Sequence, residues 1–457
     1  MGLWAVLSDP LAVQVVVPDA LTDTSLLDRL RSVVGLLVLL GIAWSMSTDR
    51  SRIPWRVVGW GLSLQLAFAV LILKTPIGAG AFDAAGAVVT GLLAYTQEGA
   101  SFVFGNLGSN TVPVGVIGEG GFEAAPGQVA ETGAAFAFFV LPTIIFFSSL
   151  MTVLYHLGIM QWVVRGFAII MQRSMGTSGA ETLSAAGNIF VGQTEAPLLV
   201  KPFIERMTES ELMAVMTGGF ATVAGGVLAA YIGMLVVYFP DVAGHMIAAS
   251  VMSAPAALVV AKLMHPESGE PETSGSVEIS VERTDVNAID AAARGASEGL
   301  DLALNVGAMM LAFVALIYLC NGVLGWIGGV VGFEALSLEW ILGTILAPLA
   351  WLMGVPWVDA FEVGALMGVK TILNEFIAYL QLAGALGQGT DLDPRSIIIA
   401  TYALSGFANF SSIAVQIAGI GGIAPSRRAD LSRLGLRAMI GGSIAAFMTA
   451  TMAGMLL

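Results

Sequence analysis

The chain has 457 residues, 56% of them hydrophobic and only 11% charged, with a net charge of −14 and a mean hydropathy of +0.85. Soluble domains carry roughly 25% charged residues, so a water-soluble protein of this composition would lack the polar groups to cover its surface. That excludes a cytosolic enzyme, a nucleic-acid binder held by bulk positive charge and a disulfide-stapled secreted scaffold, since Cys320 is the sole cysteine.

The apolar runs are continuous rather than alternating, which reads as an all-α polytopic membrane protein and not a transmembrane barrel. The first twenty residues carry only Asp9 and Asp19 as charges and lack the basic start of a signal peptide. The histidines His156, His245 and His265 sit at scattered segment ends and form no metal cluster by spacing.

A spanning helix needs about 20 mostly apolar residues. In chain order, residues 30–46 and 57–73 read as the first two spans. Residues 79–97 open a glycine-rich stretch (78–127) and read as an amphipathic helix on the membrane interface. Residues 135–155 give a third span. Residues 178–204 are apolar but interrupted by Asn188, Gly192, Gln193, Thr194, Glu195 and Pro197. Residues 214–239 and 246–262 give two further spans, and 264–290 read as a flexible inner loop rich in Glu, Ser and Pro. Residues 309–330 span again. Residues 338–382 are broken near Gly354-Val355-Pro356 and then carry Lys370, Asn374 and Glu375. Residues 397–420, polar in their middle, and 439–456 complete eight spans. Interrupted segments persist at membrane depth only when buried in protein or lining a cavity, as in re-entrant hairpins.

Basic residues set the orientation. With Arg50, Arg52 and Arg56 inside, Arg165, Arg173, Lys201, Arg206, Lys262, Arg283, Arg294, Arg427, Arg428, Arg433 and Arg437 also fall inside, provided that 178–204 enters and leaves from the inner side and 338–382 from the outer side. Lys74, Arg395, Arg29 and Arg31 fall outside. The expectation is eight transmembrane helices with two oppositely oriented re-entrant hairpins, both termini outside the cytoplasmic (inner) membrane.

Each interrupted region precedes a similar segment: Gly219-Phe220-Ala221-Thr222 after the first, Gly406-Phe407-Ala408-Asn409 after the second. Gln193-Thr194-Glu195 in one hairpin is matched by Asn374-Glu375 in the other. Two halves of opposite direction, each a hairpin, a broken helix and a helix, are the inverted repeat of a secondary transporter, with its site near the bilayer midplane.

An ionisable group within the membrane is a functional candidate by default, which singles out Glu195 and Glu375. Gln193 and Thr194 carry an amide and a hydroxyl suited to a polar planar ligand. Asn409 and Ser412, three apart, share a helix face, and Phe407 offers a flat apolar surface. Asn188, Thr222 and the carbonyls of Val191 and Val223 supply the hard oxygens that a sodium ion takes at half-helix ends. The structural alternatives are a glutamate that pins hairpin amides or pairs with Lys201 or Lys370, and small polar groups that merely bond helices together. No H-E-x-x-H, phosphate-binding loop or nucleophile–base pair is present, so drive would come from an ion gradient or from the solute's own gradient. The competing readings are an intramembrane hydrolase using Glu195 and Glu375 as acid and base, and a channel or sensor with downhill flux only.

The run Gly192-Gln193-Thr194-Glu195-Ala196-Pro197-Leu198-Leu199 closely resembles the concentrative nucleoside transporters. The resemblance continues through Ala221-Thr222-Val223-Ala224-Gly225-Gly226-Val227, Ala303-Leu304-Asn305-Val306-Gly307-Ala308-Met309, Asn374-Glu375-Phe376-Ile377-Ala378-Tyr379 and Ser405-Gly406-Phe407-Ala408-Asn409-Phe410. It implies a homotrimer in lipid, working as an elevator in which a transport domain moves against a scaffold. That division would make 1–157 scaffold (spans 1–3 and the interfacial helix) and 158–263 the first half of the transport domain. Residues 264–330 would hold the inner loop, an interfacial helix and scaffold span 6, and 331–457 the second half of the transport domain.

The resemblance further implies that Gln193, Thr194 and Glu195 contact the nucleobase, that Glu375, Asn409 and Ser412 hold the ribose hydroxyls, and that Phe407 packs on the base. Val227 and a leucine before Asn305 (Leu302 or Leu304, with Leu302 taken here) would line the same site. Asn188, Val191, Thr222 and Val223 would bind Na+ as the coupling ion, with H+ as the alternative. Thr222 departs from the serine expected in sodium-coupled members, and its extra methyl would crowd the ion. The implied function is cation-driven nucleoside symport, with no enzymatic step and no nucleic-acid partner.

Overall fold

The computed structural model describes residues 24–108, 111–118, 121–131, 136–275 and 285–457. The chain opens with α1 (Leu26–Ser45), α2 (Trp55–Lys74) and α3 (Pro76–Phe104). An antiparallel hairpin follows, β1 (Thr111–Gly118) and β2 (Gly121–Glu131), in register from Thr111 opposite Glu131 to Gly118 opposite Gly121, with an irregularity between Pro113 and Gly115. Next come α4 (Leu141–His156), α5 (Ile159–Met175), α6 (Gly179–Gly187), α7 (Lys201–Ile204), α8 (Glu209–Ala221), α9 (Gly225–Leu235) and α10 (Val242–Met264). The rest is α11 (Ala288–Val331), α12 (Leu338–Met353), α13 (Trp357–Ile372), α14 (Glu375–Gly387), α15 (Pro394–Leu404), α16 (Phe410–Ile423) and α17 (Arg428–Leu456).

The eight expected spans correspond to α1, α2, α4, α8 with α9, α10, α11, α15 with α16, and α17. Helix α2, the α8–α9 pair, α10, α11 and the segment ending in α17 are each long and apolar enough to cross a membrane. Charges Asp28, Arg29 and Arg31 crowd the start of α1, α4 is 16 residues long, and the α15–α16 pair is interrupted at residues 405–409.

Four features depart from the sequence reading. The interfacial helix runs from Pro76 to Phe104, longer than residues 79–97, because Thr75 caps it by accepting from Gly78 N at 3.1 Å. The glycine-rich stretch that follows forms the β-hairpin, which spacing alone did not suggest. The 338–382 region holds three helices, not two. The Gly354-Val355-Pro356 break is a turn between α12 and α13, bent by 117°, and the hairpin tip lies one helix later, between α13 and α14. The inner loop is fastened at its start: Thr273 accepts from Gly179 N through its carbonyl and from Ala180 N through its hydroxyl, both at 2.9 Å, and so caps α6. Residues 276–284 lie outside the described residues.

The first half-repeat is rooted by two interlocked capping boxes, Ser178 with Glu181 and Thr208 with Glu211. Ser178 Oγ donates to Glu211 Oε1 at 2.6 Å, and Lys262 Nζ lies 2.7 Å from Glu181 Oε2 and 3.0 Å from Glu267 Oε2. Pairing is required here, because a lone buried charge is costly. The second half-repeat is rooted in the matching place: Asp359 Oδ2 accepts from Asp393 N at 3.0 Å and Ser396 Oγ at 2.5 Å.

Helices α1 and α2 seat on α10 and α17, with Gln65 Nε2 donating to Thr449 Oγ1 at 3.0 Å, whereas α4 seats along α11. The α4–α11 contact is made by small residues four apart on α11. A Cβ at Gly299 would lie 2.8 Å from Ile145 Cα, and one at Gly295 2.8 Å from Ser149 Cα. Small residues at this spacing let membrane helices approach closely. Helix α11 runs unbroken for 44 residues, from Ala288 to Val331.

Candidate functional site

Both broken helices part at the same point in the fold. Helix α8 ends at Ala221 and α9 begins at Gly225; α15 ends at Leu404 and α16 begins at Phe410. The two breaks touch, since Phe407 N donates to Thr222 O at 3.3 Å. Gly406 makes the crossing possible. Its φ of +129° suits glycine, and a Cβ there would lie 2.8 Å from Phe220 O. The hairpin tips meet the same junction: Gly225 N donates to Phe190 O at 3.1 Å in the first half, and Asn409 Nδ2 donates to Glu375 Oε2 at 3.0 Å in the second.

Asparagines cap the second-half breaks. Asn374 Oδ1 accepts from Ile377 N at 2.9 Å at the start of α14, and Asn409 Oδ1 accepts from Ser412 N at 2.9 Å at the start of α16. Each satisfies an amide that a helix start leaves open. Glu375 follows Asn374 directly, so its carboxylate stands at a helix N-terminus where the dipole favours negative charge. It is buried, and its oxygens accept from Tyr231 Oη at 2.8 Å and Asn409 Nδ2 at 3.0 Å. Lys370, also buried, donates to Ala403 O at 2.8 Å and forms no close ion pair with Glu375.

Gln193, Asn409, Ser412 and Glu375 are brought together in one bonded chain. Gln193 Nε2 donates to Ser412 Oγ at 3.3 Å, Ser412 N to Asn409, and Asn409 to Glu375. Val227 is buried on α9, and Phe407 is half-buried at the crossing.

Thr194, Glu195 and Leu302 are placed differently. They line an open cavity of about 860 Å³, together with Phe190, Val191, Gly192, Tyr155 and Asn305. Its mouth carries Arg294, which grips Asp285 through Nε and Nη2 at 2.7 and 2.8 Å and so holds that carboxyl below the usual carboxylate range. Glu375 is not among the residues that line this cavity. Gln193, next to Thr194 in the chain, links the cavity to the buried cluster. Glu195 folds back over Gly192, where any side chain would collide with its carboxylate.

Asn188 ends α6 and is fully buried. Its Nδ2 donates to Ser184 O at 3.0 Å, while Oδ1 has no hydrogen-bond partner. A buried carbonyl oxygen left unmet costs about 1–3 kcal/mol, and a cation would satisfy it. Thr222 and Val223 are buried nearby in the chain's first break, with Thr222 Oγ1 bonded to Gly218 O at 2.9 Å, and Val191 is half-buried at the hairpin tip. Oxygens of this hard, neutral kind suit sodium.

Two residues of the cluster escaped the sequence reading. Tyr231 lies four residues after Val227 on α9, and Gln416 four after Ser412 on α16, each one helical turn further along a face already singled out. Tyr231 stacks on Tyr379 at 4.5 Å, and Tyr379 Oη donates to Thr401 O at 2.7 Å. Gln416 Nε2 donates to Gln193 Oε1 at 3.0 Å and Met216 O at 3.1 Å.

Comparison with known proteins decides the family. Residues 34–107 match the description "Na+ dependent nucleoside transporter N-terminus", residues 137–237 "Nucleoside recognition", and residues 245–454 "Na+ dependent nucleoside transporter C-terminus". The chain is 46% identical over 429 residues to an uncharacterized transporter of Haemophilus influenzae, covering 93% of this chain and 97% of that one. The chain belongs to the concentrative nucleoside transporter family. It is 41% identical over 442 residues to sodium/nucleoside cotransporter 1 of Mus musculus, 94% of this chain and 64% of that longer protein. A solved structure, CNTnw in an inward-facing substrate-bound state, is 42% identical and superposes with a TM-score of 0.81 over 93% of this chain and 97% of its own. The arrangement of apolar helices, bent pairs and hairpins is that of a multi-pass transporter of this family.

Proposed function

We propose that this chain carries nucleosides across the cytoplasmic membrane by symport with a cation, with Na+ as the coupling ion. The buried Glu375 carboxylate carries the reading. It is ionisable, held by two donors, and joined to Asn409, Ser412 and Gln193 where both broken helices cross. A ribose diol donates two hydroxyls, and an ionised carboxylate only accepts. Ser412 and Asn409 would complete the sugar contacts, Gln193, Thr194 and Glu195 would read the base edge, and Phe407, Val227 and Leu302 would enclose its faces.

Asn188, Thr222 and the carbonyls of Val191 and Val223 would hold the ion. Because Asn188 and Val191 belong to the same hairpin as Gln193, ion binding would order the base-reading tip, and each ligand would favour the other. The packing of α1 and α2 against α10 and α17 supports a moving body that includes them, with α4 and α11 as the frame and a homotrimer formed through that frame. The charged cavity mouth bears Arg294 and Lys201, which the basic-residue rule puts on the inner side.

Uptake of labelled uridine into proteoliposomes at fixed pH tests the reading. An inward sodium gradient should drive accumulation of chemically unchanged uridine above the outside concentration. Accumulation driven by a pH gradient alone would assign the proton instead; downhill flux only would indicate a channel, and altered uridine an enzyme.

A further inference from the structure

The sequence leaves the amide of Gln193 free to donate or to accept, because its two ends are interchangeable in shape. Its surroundings remove that freedom. A backbone carbonyl can only accept, so the end of Gln416 within 3.1 Å of Met216 O is its NH2 group. That same nitrogen lies 3.0 Å from Gln193, which must therefore present its oxygen there. The NH2 of Gln193 is then the end turned toward Ser412, at 3.3 Å, and through Ser412 toward Asn409 and Glu375. Flipping Gln416 would set its oxygen against the Met216 carbonyl. Gln416 is fully buried, so no solvent relieves that oxygen–oxygen contact. Gly219 makes the room: a Cβ there would lie 2.7 Å from Gln416 Nε2 and 2.9 Å from Gln193 Cβ. One turn along α16, a Cβ at Gly419 would lie 2.8 Å from Thr194 Cγ2, so the hairpin tip is seated on α16 at two successive points.

We propose that Gln416 is a positioning residue that locks the Gln193 amide with its donor end toward the ligand, so that the site selects keto bases over their amino counterparts. The inference rests on the reading above that Gln193 faces the base. Uracil and hypoxanthine bring a carbonyl oxygen where cytosine and adenine bring an exocyclic NH2. A locked donor meets an acceptor in the first pair and another donor in the second. A buried donor left unpaired weakens binding by about tenfold or more. Uridine should therefore bind more tightly than cytidine, and inosine more tightly than adenosine, by about that factor.

The test is equilibrium binding of uridine, cytidine, inosine and adenosine to the purified full-length protein in saturating sodium, for the wild type, Gln416→Met and Gln193→Glu. Methionine fills the space but cannot hold the Gln193 amide, so Gln416→Met should bring the uridine-to-cytidine ratio toward one, mainly by improving cytidine. A merely structural role would weaken both equally. Gln193→Glu keeps the acceptor toward Gln416 and removes the donor, so uridine should lose and cytidine gain; this variant decides the matter if Gln416→Met does not fold. Wild-type binding without discrimination, an unchanged ratio in Gln416→Met, or equal losses in Gln193→Glu overturns the inference while leaving nucleoside transport standing. A wild-type protein that binds no nucleoside overturns the functional reading, and this inference with it.

Discussion

The two half-repeats share a plan and differ in how they finish it. In the second half, side chains close every break: Asn374 caps α14, Asn409 caps α16, and Glu375 has a donor on each oxygen. In the first half the same positions stay open. Ala224 begins α9 with no side-chain cap, Asn188 Oδ1 is buried without a partner, and Glu195 lines a cavity. A repeat that fixes a carboxylate is suited to neutral hydroxyl donors. A repeat that leaves neutral oxygens unmet is suited to a cation. On the proposed reading, the difference teaches that coupling would use unequal halves: one pre-organised and one completed by an ion.

That contrast can be broken from either side. The largest effect is expected in the finished half. Glu375→Gln keeps the shape but loses the charge that accepts from Tyr231, Asn409 and a diol, and uridine affinity should fall roughly a hundredfold, about 3 kcal/mol. Titration of the purified variant with uridine checks this, and unaltered affinity would remove Glu375 from the site. In the unfinished half, Asn188→Ala removes the orphaned oxygen. The sodium concentration for half-maximal uridine binding should rise about tenfold, with sodium-free uridine affinity unchanged; a loss confined to uridine would place Asn188 elsewhere. The smallest effect belongs to Tyr231→Phe, which deletes one neutral donor to Glu375. Uridine should weaken by about fivefold, near 1 kcal/mol, while stimulation by sodium stays the same, read from paired titrations with and without the ion.

Much of this was legible in the chain itself. Long apolar runs, positive-inside charges and paired interruptions are imposed by the bilayer, so spans, hairpins and the repeat follow from local composition. Glu375 and Glu195 stood out because a charge at that depth needs a reason. What escaped depends on contacts between distant segments. Tyr231 meets Glu375 across 144 positions and Gln416 meets Gln193 across 223, so neither pairing leaves a local pattern. The turn at Gly354 and the tip at Asn374 both read as helix breakers, and only the long-range bond of Asn409 to Glu375 shows which of them reaches the crossing of the broken helices. The β-hairpin was missed because proline and glycine interrupt both strands, Pro113 and Gly115 in β1 and Pro126 and Gly127 in β2, and strand propensity disfavours both residues.

Sodium linkage of nucleoside binding tests the central claim most directly. Uridine affinity is measured by calorimetry at one pH, once in sodium and once in an equal concentration of choline. If an ion completes the hairpin that reads the base, sodium tightens uridine binding and uridine tightens sodium binding by the same factor. Equal uridine affinity in the two salts would contradict the account.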